Sequence, residues 1–230
     1  MVIGHGMVAK RFSSFDENND ILIFASGVSN SKNTNTGDYH RETHMLKEAI
    51  ASHPNKHLVY FSTCSVYDPG EKDSAYVHHK LAIEQLIRLS APRFNIFRVS
   101  NLVGKSQNPN TILNYFYYHL VKGINFDLWL YSSRNLLDID DMFAITEKIL
   151  TENLFINDVV NIANARSYNV QDIIVQMQRE LGTEANYIPI EKGYSFSIDI
   201  SVAEPIIEQL NISFDEMYLQ RLIKKYYVNP

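Results

Sequence analysis

Six short runs rich in apolar, β-branched and aromatic residues, at 1–4, 20–25, 57–62, 94–100, 126–130 and 159–162, alternate with stretches of helical spacing at 39–52, 76–90, 140–151 and 170–181. Strands separated by helices are the pattern of parallel βαβ units, so the alternation predicts an α/β fold with helices over both faces of a parallel sheet. Two stretches interrupt it: 29–37, rich in Ser, Asn, Thr and Gly, and 104–110, which ends in an Asn-Pro-Asn turn signal. Both are expected as loops at strand ends, on the rim where such sheets bind ligands.

A chain of 230 residues, 45% of them hydrophobic, can bury a sizeable core. Its net charge is −5 and its Lys and Arg residues are scattered, which argues against nucleic acid as the main partner. No apolar run approaches the length of a bilayer span, so no membrane partner is expected and the sequon Asn211-Ile212-Ser213 is read as coincidence. Cys64 is the only cysteine, and the chain opens directly into a strand and a Gly-rich turn; together these predict a cytoplasmic protein. A small molecule is the expected ligand.

Gly4-His5-Gly6-Met7-Val8-Ala9 is a G-x-G-x-x-A pattern that follows a strand and opens a helix. Gly4 permits the tight turn, Gly6 lets backbone amides approach a pyrophosphate, and Ala9 keeps the helix close to the sheet. A dinucleotide fold usually carries an acidic residue about 20 positions on, at the end of a second strand. Here that place is already the strand Ile21-Leu22-Ile23-Phe24, followed by Ala25-Ser26-Gly27. The usual second and third strands therefore have no room, and part of the adenosine side is expected to be missing. Lys10 and Arg11 could meet a 2′-phosphate, although two basic residues on a helix are more often solvated, so NAD and NADP both stay open.

Tyr76 and Lys80 are four residues apart on a predicted helix, which puts both side chains on one face. A nearby ammonium favours phenolate over phenol, and a hydroxyl at a strand end, such as Thr63, can hydrogen-bond the same substrate oxygen. That set moves a proton while a nicotinamide takes or gives a hydride. A lone Tyr-x-x-x-Lys is also common as a surface pair.

Taken in order, the motifs resemble those of the extended short-chain dehydrogenase/reductases, the NAD-dependent epimerase/dehydratase family acting on nucleotide sugars, over nearly the whole chain. Gly4 to Ala9 resembles its N-terminal glycine motif with one residue fewer between the first two glycines. Ala25-Ser26-Gly27 is similar to the segment that lines the cofactor ribose, and Phe61-Ser62-Thr63-Cys64-Ser65-Val66-Tyr67 to the strand ending in a Ser/Thr-rich turn. Tyr76-Val77-His78-His79-Lys80 matches the catalytic Tyr and Lys, Arg98 to Gly104 the Arg-x-x-Asn-x-x-Gly strand end, and Arg134 to Asp141 the Arg-Asp-aromatic-x-x-x-Asp-Asp segment.

The resemblance implies a reduced Rossmann-type core at 1–162, with 105–125 contributing to the substrate side, and a small C-terminal substrate-binding cap at 163–230. It implies Thr63, Tyr76 and Lys80 as catalytic residues. Gly4, Gly6, Met7, Val8, Ala9, Lys10, Arg11, Ala25, Ser26, Gly27, Tyr76 and Lys80 are expected at the NAD or NADP site. Thr63, Asn101 and Arg134 are expected against a nucleoside-diphosphate sugar, and no metal is expected.

Family dehydratases carry an Asp-Glu pair after the threonine; Cys64 and Ser65 stand there, which disfavours water elimination. Epimerisation and keto-sugar reduction stay open, as does a non-catalytic or partner-dependent binding protein. The missing sheet edge makes a homodimer plausible. Cys64 is expected as a buried thiol, His78 and His79 as exposed or supporting residues, and Trp129 and the aromatic run 115–119 as core first.

Overall fold

The computed structural model describes residues 1–106 and 108–228. In chain order the first half comprises β1 (Val2–Ile3), α1 (Met7–Arg11), β2 (Ile21–Phe24), α2 (Thr36–Ser52), β3 (His57–Thr63), α3 (Ala75–Ser90) and β4 (Phe94–Val99). There follow β5 (Asn101–Val103), α4 (Ile112–Lys122), β6 (Phe126–Trp129), β7 (Ser133–Arg134), β8 (Leu136–Asp138), α5 (Ile139–Thr151) and β9 (Asp158–Ile162). The chain ends with β10 (Tyr168–Asn169), α6 (Val170–Leu181), β11 (Tyr187–Ile190), α7 (Glu204–Gln209) and α8 (Tyr218–Ile223).

The main sheet has the order β1-β2-β3-β4-β9, and every pairing in it is parallel. Successive strand residues point to opposite faces. Leu22, Phe24, Leu58, Tyr60 and Ile96 therefore pack on Leu46 and Ala49 of α2 and on Ile83 and Ile87 of α3. Ile23, Val59, Phe97 and Val160 pack on the other face against Phe12, Met142, Ile145 and Ile149, with Ile206 and Ile207 of α7 behind them. Helices on both faces and strands buried on both sides give the predicted α/β architecture.

The five residues of α1 lead through the short turn Ser13–Phe15 straight into β2. Among the described residues no strand lies beyond β1, so this two-residue strand forms the edge of the sheet, as the early position of Ile21–Phe24 implies.

A second core joins Leu113, Phe116 and Leu120 of α4 to Leu128, Leu136, Ile173, Ile174, Met177, Leu222 and Ile223. Three two-stranded ladders frame it: β5 with β8, β6 with β11, and β7 with β10. Strand β6 corrects one expectation. Phe126 and Leu128 point inward, so the period of two turns Asp127 and Trp129 outward, and Trp129 lies 47% exposed rather than in the core. The aromatic run on α4 divides similarly, with Phe116 buried and Tyr118 exposed. No helix among the described residues is long and apolar enough to cross a membrane.

Candidate active site at the strand ends

The C-terminal ends of β1, β2, β3 and β4 bring Gly4 to Gly6, Ala25 to Gly27, Thr63 and Asn101 to one rim. At Gly4 φ is +136°, and a Cβ there would stand 2.4 Å from the Ala25 carbonyl oxygen, so only glycine lets β1 turn this close to the end of β2. Gly6 forms the N-cap of α1 without any side-chain cap, and a Cβ on it would meet nothing within 4 Å. The start of α1 therefore has open space on the Cβ side of Gly6. Ala9 is buried against the sheet, and Gly104 packs so closely on Met7 that a Cβ would lie 2.6 Å from its sulfur.

Lys10 is exposed on α1. Arg11 is not: its Nε donates to Asp140 at 2.7 Å, and its guanidinium lies 3.7 Å from the centre of the Phe143 ring. The structure thus commits Arg11 to α5. At the end of β2 the Ser26 hydroxyl is instead approached by Arg41 of α2 at 3.4 Å.

Thr63 ends β3 and caps the turn Cys64–Tyr67: its hydroxyl accepts from the Ser65 amide at 3.0 Å and donates to the Ser65 hydroxyl at 3.0 Å. Tyr76 lies in the first turn of α3, which Ser74 caps through the Val77 amide. Its phenol is buried. Burial raises its pKa; the Thr63 side chain beside it acts in the opposite sense, while Glu42, Tyr39 and Glu71 add to the rise.

Lys80, one helical turn further, is also buried, with Nζ 5.8 Å from the centre of the Tyr76 ring. Nζ donates to Glu42 Oε1 at 3.0 Å and to the Tyr60 hydroxyl at 2.8 Å. Gly27 roofs this pair: a Cβ on it would lie 2.7 Å from Nζ and 2.8 Å from Glu42 Oε1.

Glu42 is fully buried and accepts four hydrogen bonds, from the Val28 amide, Tyr60, His79 and Lys80. Burial alone would raise its pKa, but the bond from His79, the Lys80 charge, and the bonds from Tyr60 and Val28 bring it down to about 2. Sequence reasoning missed Glu42 and Tyr60. The signal was present in α2, where Glu42 falls on the same face as the buried Leu46 and Ala49, so a charge occupies a core position and needs partners. Of the two histidines, His78 is exposed with its Nε2 at the Lys72 carbonyl, and His79 supports Glu42.

Cys64 is buried, its thiol bonded to the Arg98 carbonyl at 3.1 Å and pushed up to about 12 chiefly by burial. Asn101 on β5 turns its amide to the Asn135 carbonyl at 3.0 Å, one residue from Arg134. Arg134 faces a cleft of 530 Å³ that it shares with Asp68, Glu71, Trp129, Lys192 and Tyr194. Burial lowers the Arg134 pKa, and Asp68 and Glu71 oppose that. No group of three or more His, Cys, Asp or Glu among the described residues could hold a metal ion.

No curated protein matches the chain. Among solved structures, dTDP-glucose 4,6-dehydratase from Bacillus anthracis in complex with NAD is similar over 91% of this chain and 73% of its own, at a TM-score of 0.71 and 18% identity. RMD from Pseudomonas aeruginosa complexed with NADPH covers 89% and 90% of the two chains at 0.72 and 15%. UDP-glucuronic acid 4-epimerase from Bacillus cereus, in complex with UDP-glucuronic acid and NAD, covers 88% and 76% at 0.69 and 20%. These likenesses establish the fold. The family model of the NAD dependent epimerase/dehydratase family matches residues 11–163, a span from the end of α1 past the end of β9 that contains Thr63, Tyr76 and Lys80, and the chain belongs to that family.

Proposed function

We propose that the chain is an NAD(P)-dependent nucleotide-sugar epimerase or keto-sugar reductase, in which Thr63, Tyr76 and Lys80 move the proton that accompanies hydride transfer. The observation that carries the reading is the placement of these three residues at the strand-end rim: Thr63 at the end of β3, Tyr76 in the first turn of α3, and Lys80 one turn behind it with Nζ 5.8 Å from the centre of the Tyr76 ring.

The residues at the rim fit a dinucleotide. Gly4 can approach Ala25 only as glycine, and the open space beside Gly6 at the start of α1 is where a pyrophosphate would lie. Met7, Val8 and Ala9 carry that helix start, and Ala25, Ser26 and Gly27 line the ribose side. A bound nicotinamide supplies or accepts the hydride. Tyr76 gives or takes the proton at the reacting oxygen, which Thr63 orients by hydrogen bonding. With Arg11 bound to Asp140, Lys10 is the basic residue on α1 left to meet a 2′-phosphate.

On the substrate side, Arg134 and Asn101 are the proposed contacts to the diphosphate of a nucleotide sugar, because a guanidinium matches phosphate oxygens in geometry as well as charge. The buried Cys64 and the hydrogen-bonded Ser65 supply no acid–base pair for water elimination. A second reading, a non-catalytic or partner-dependent binding protein, draws on the edge position of β1 and the tie between Lys80 and Glu42.

Denaturing the purified protein and quantifying released nicotinamide, beside NADH and NADPH titrations of the native protein, separates these readings. Near-stoichiometric NAD favours the epimerase, and saturable NADPH binding without retained cofactor favours the reductase. No binding in either test favours the second reading. Tyr76→Phe is expected to keep any cofactor binding and abolish turnover, so near-normal turnover would sink the assignment.

A further inference from the structure

A carboxylate buried against the lysine is the feature that the Thr63, Tyr76 and Lys80 set does not by itself require. An ammonium has three hydrogens, and two of those on Lys80 are spent on Glu42 and Tyr60. The Glu42 carboxylate is in turn fixed on both oxygens: Oε1 by Lys80 and Tyr60 at 3.0 and 2.6 Å, Oε2 by the Val28 amide and His79 at 2.7 and 3.0 Å. Tyr39 stacks on His79 with ring centres 4.6 Å apart, and Gly27 closes the roof. The charge of Lys80 is therefore matched at contact distance, whereas the Tyr76 ring centre lies 5.8 Å from it.

We propose that Glu42 is a positioning residue: by pairing with Lys80 it cancels the ammonium charge beside Tyr76 and keeps the phenol protonated, which prepares the site to deliver a proton to a carbonyl oxygen. The inference rests on Tyr76 being the acid–base residue and selects keto-group reduction as the direction for which the resting site is set. In that step the carbonyl carbon gains the hydride of a reduced nicotinamide, the C=O π pair moves to oxygen, and the Tyr76 proton completes the hydroxyl. Tyr76 is left as phenolate until solvent returns a proton, and the nicotinamide is left oxidised.

The groups around the phenol agree with that resting state. Burial is the largest factor opposing a negative charge on Tyr76, and Glu42 and Tyr39 from α2, Glu71 from the turn before α3, and Tyr60 from β3 add to it. Lys80 from α3 and the Thr63 hydroxyl from the end of β3 are the groups that would favour one.

The test is the titration of protein labelled with 13C at tyrosine Cζ, with the Tyr76 resonance assigned by its loss in Tyr76→Phe. In the unmodified protein Tyr76 is expected to remain protonated beyond the ordinary tyrosine value of about 10. In Glu42→Gln the loss of the carboxylate charge that opposes the phenolate is expected to bring the titration down by about one to three pH units, the shift a change in a neighbouring charge produces. Glu42→Asp, which keeps the charge, should stay close to the unmodified protein.

A Tyr76 that titrates below its ordinary value in the unmodified protein overturns the proposal, and that result needs no variant to fold. So does a titration that Glu42→Gln leaves in place, or one that Glu42→Asp moves as far as Glu42→Gln does. None of these arms uses cofactor or turnover. A failure of nicotinamide binding would remove the enzymatic reading without touching the phenol titration.

Discussion

Replacing Glu42 by Gln leaves the buried Lys80, whose pKa burial already lowers and Glu42 holds up, facing a neutral amide of nearly the same shape. The pKa of Glu42 falls from 4.5 to about 2 on folding, a difference of roughly 2.5 units, and each unit is worth about 1.4 kcal/mol. The charged carboxylate thus contributes about 3 kcal/mol, which agrees with the ~3–5 kcal/mol lost when one partner of a buried pair is removed. Because the folded pKa is depressed, this stability is fully present above pH 4.5 and is lost as pH falls toward about 2.

Urea unfolding of the unmodified protein and Glu42→Gln should therefore differ by about 3 kcal/mol at pH 7, and the difference should shrink as pH falls below 4.5. A loss of that size leaves a domain of ordinary stability, ~5–15 kcal/mol, still folded. Glu42→Gln combined with Lys80→Met removes both charges and should recover part of the loss, since apolar replacement of a buried pair is often neutral. A difference under about 1 kcal/mol at pH 7, the worth of an exposed pair, would refute the reasoning. So would a difference that persists unchanged at the acid end.

The two glycines of the N-terminal turn should respond oppositely. Gly4→Ala meets both a positive φ and the Ala25 carbonyl, so it should lower Tm sharply. Gly6→Ala meets nothing and should hold stability within about 0.5 kcal/mol while weakening NADH or NADPH binding tenfold or more in a fluorescence titration. His57, buried at the start of β3 with Nε2 unpartnered, is held down to about 4 by burial and by Arg93. It folds neutral, so stability is complete above pH 6.5 and falls as pH drops toward 4. Roughly 2 kcal/mol should be gone by about pH 5 in urea unfolding, and His57→Leu should lack that loss.

The site was legible in the sequence where its logic is local. The spacing of Tyr76 and Lys80 fixes their shared helix face, and the glycine turn and the strand-end Thr63 follow from where the strands stop. Glu42 was not legible as a site residue, because it meets Lys80 across 38 positions of chain and on a different helix. Arg11 shows the same limit, since its partner Asp140 lies 129 positions away. The short strands β5, β7, β8, β10 and β11, of two to four residues each, were also missed, because so few residues show no period of two.

The order of apolar runs and helices by itself determined the parallel sheet, its helical cover and the edge position of β1 among the described residues. These follow from periodicity and from the length of chain between elements, and both are written locally. Tertiary structure alone decided which charges face each other. Whether Lys80 serves the phenol or the Glu42 carboxylate depends on the distance between α2 and α3 across the end of β3. Which face of β6 carries Trp129 depends on which side the second core closes. Coulomb energy and desolvation both depend on separation in space, and that is set only once the elements pack.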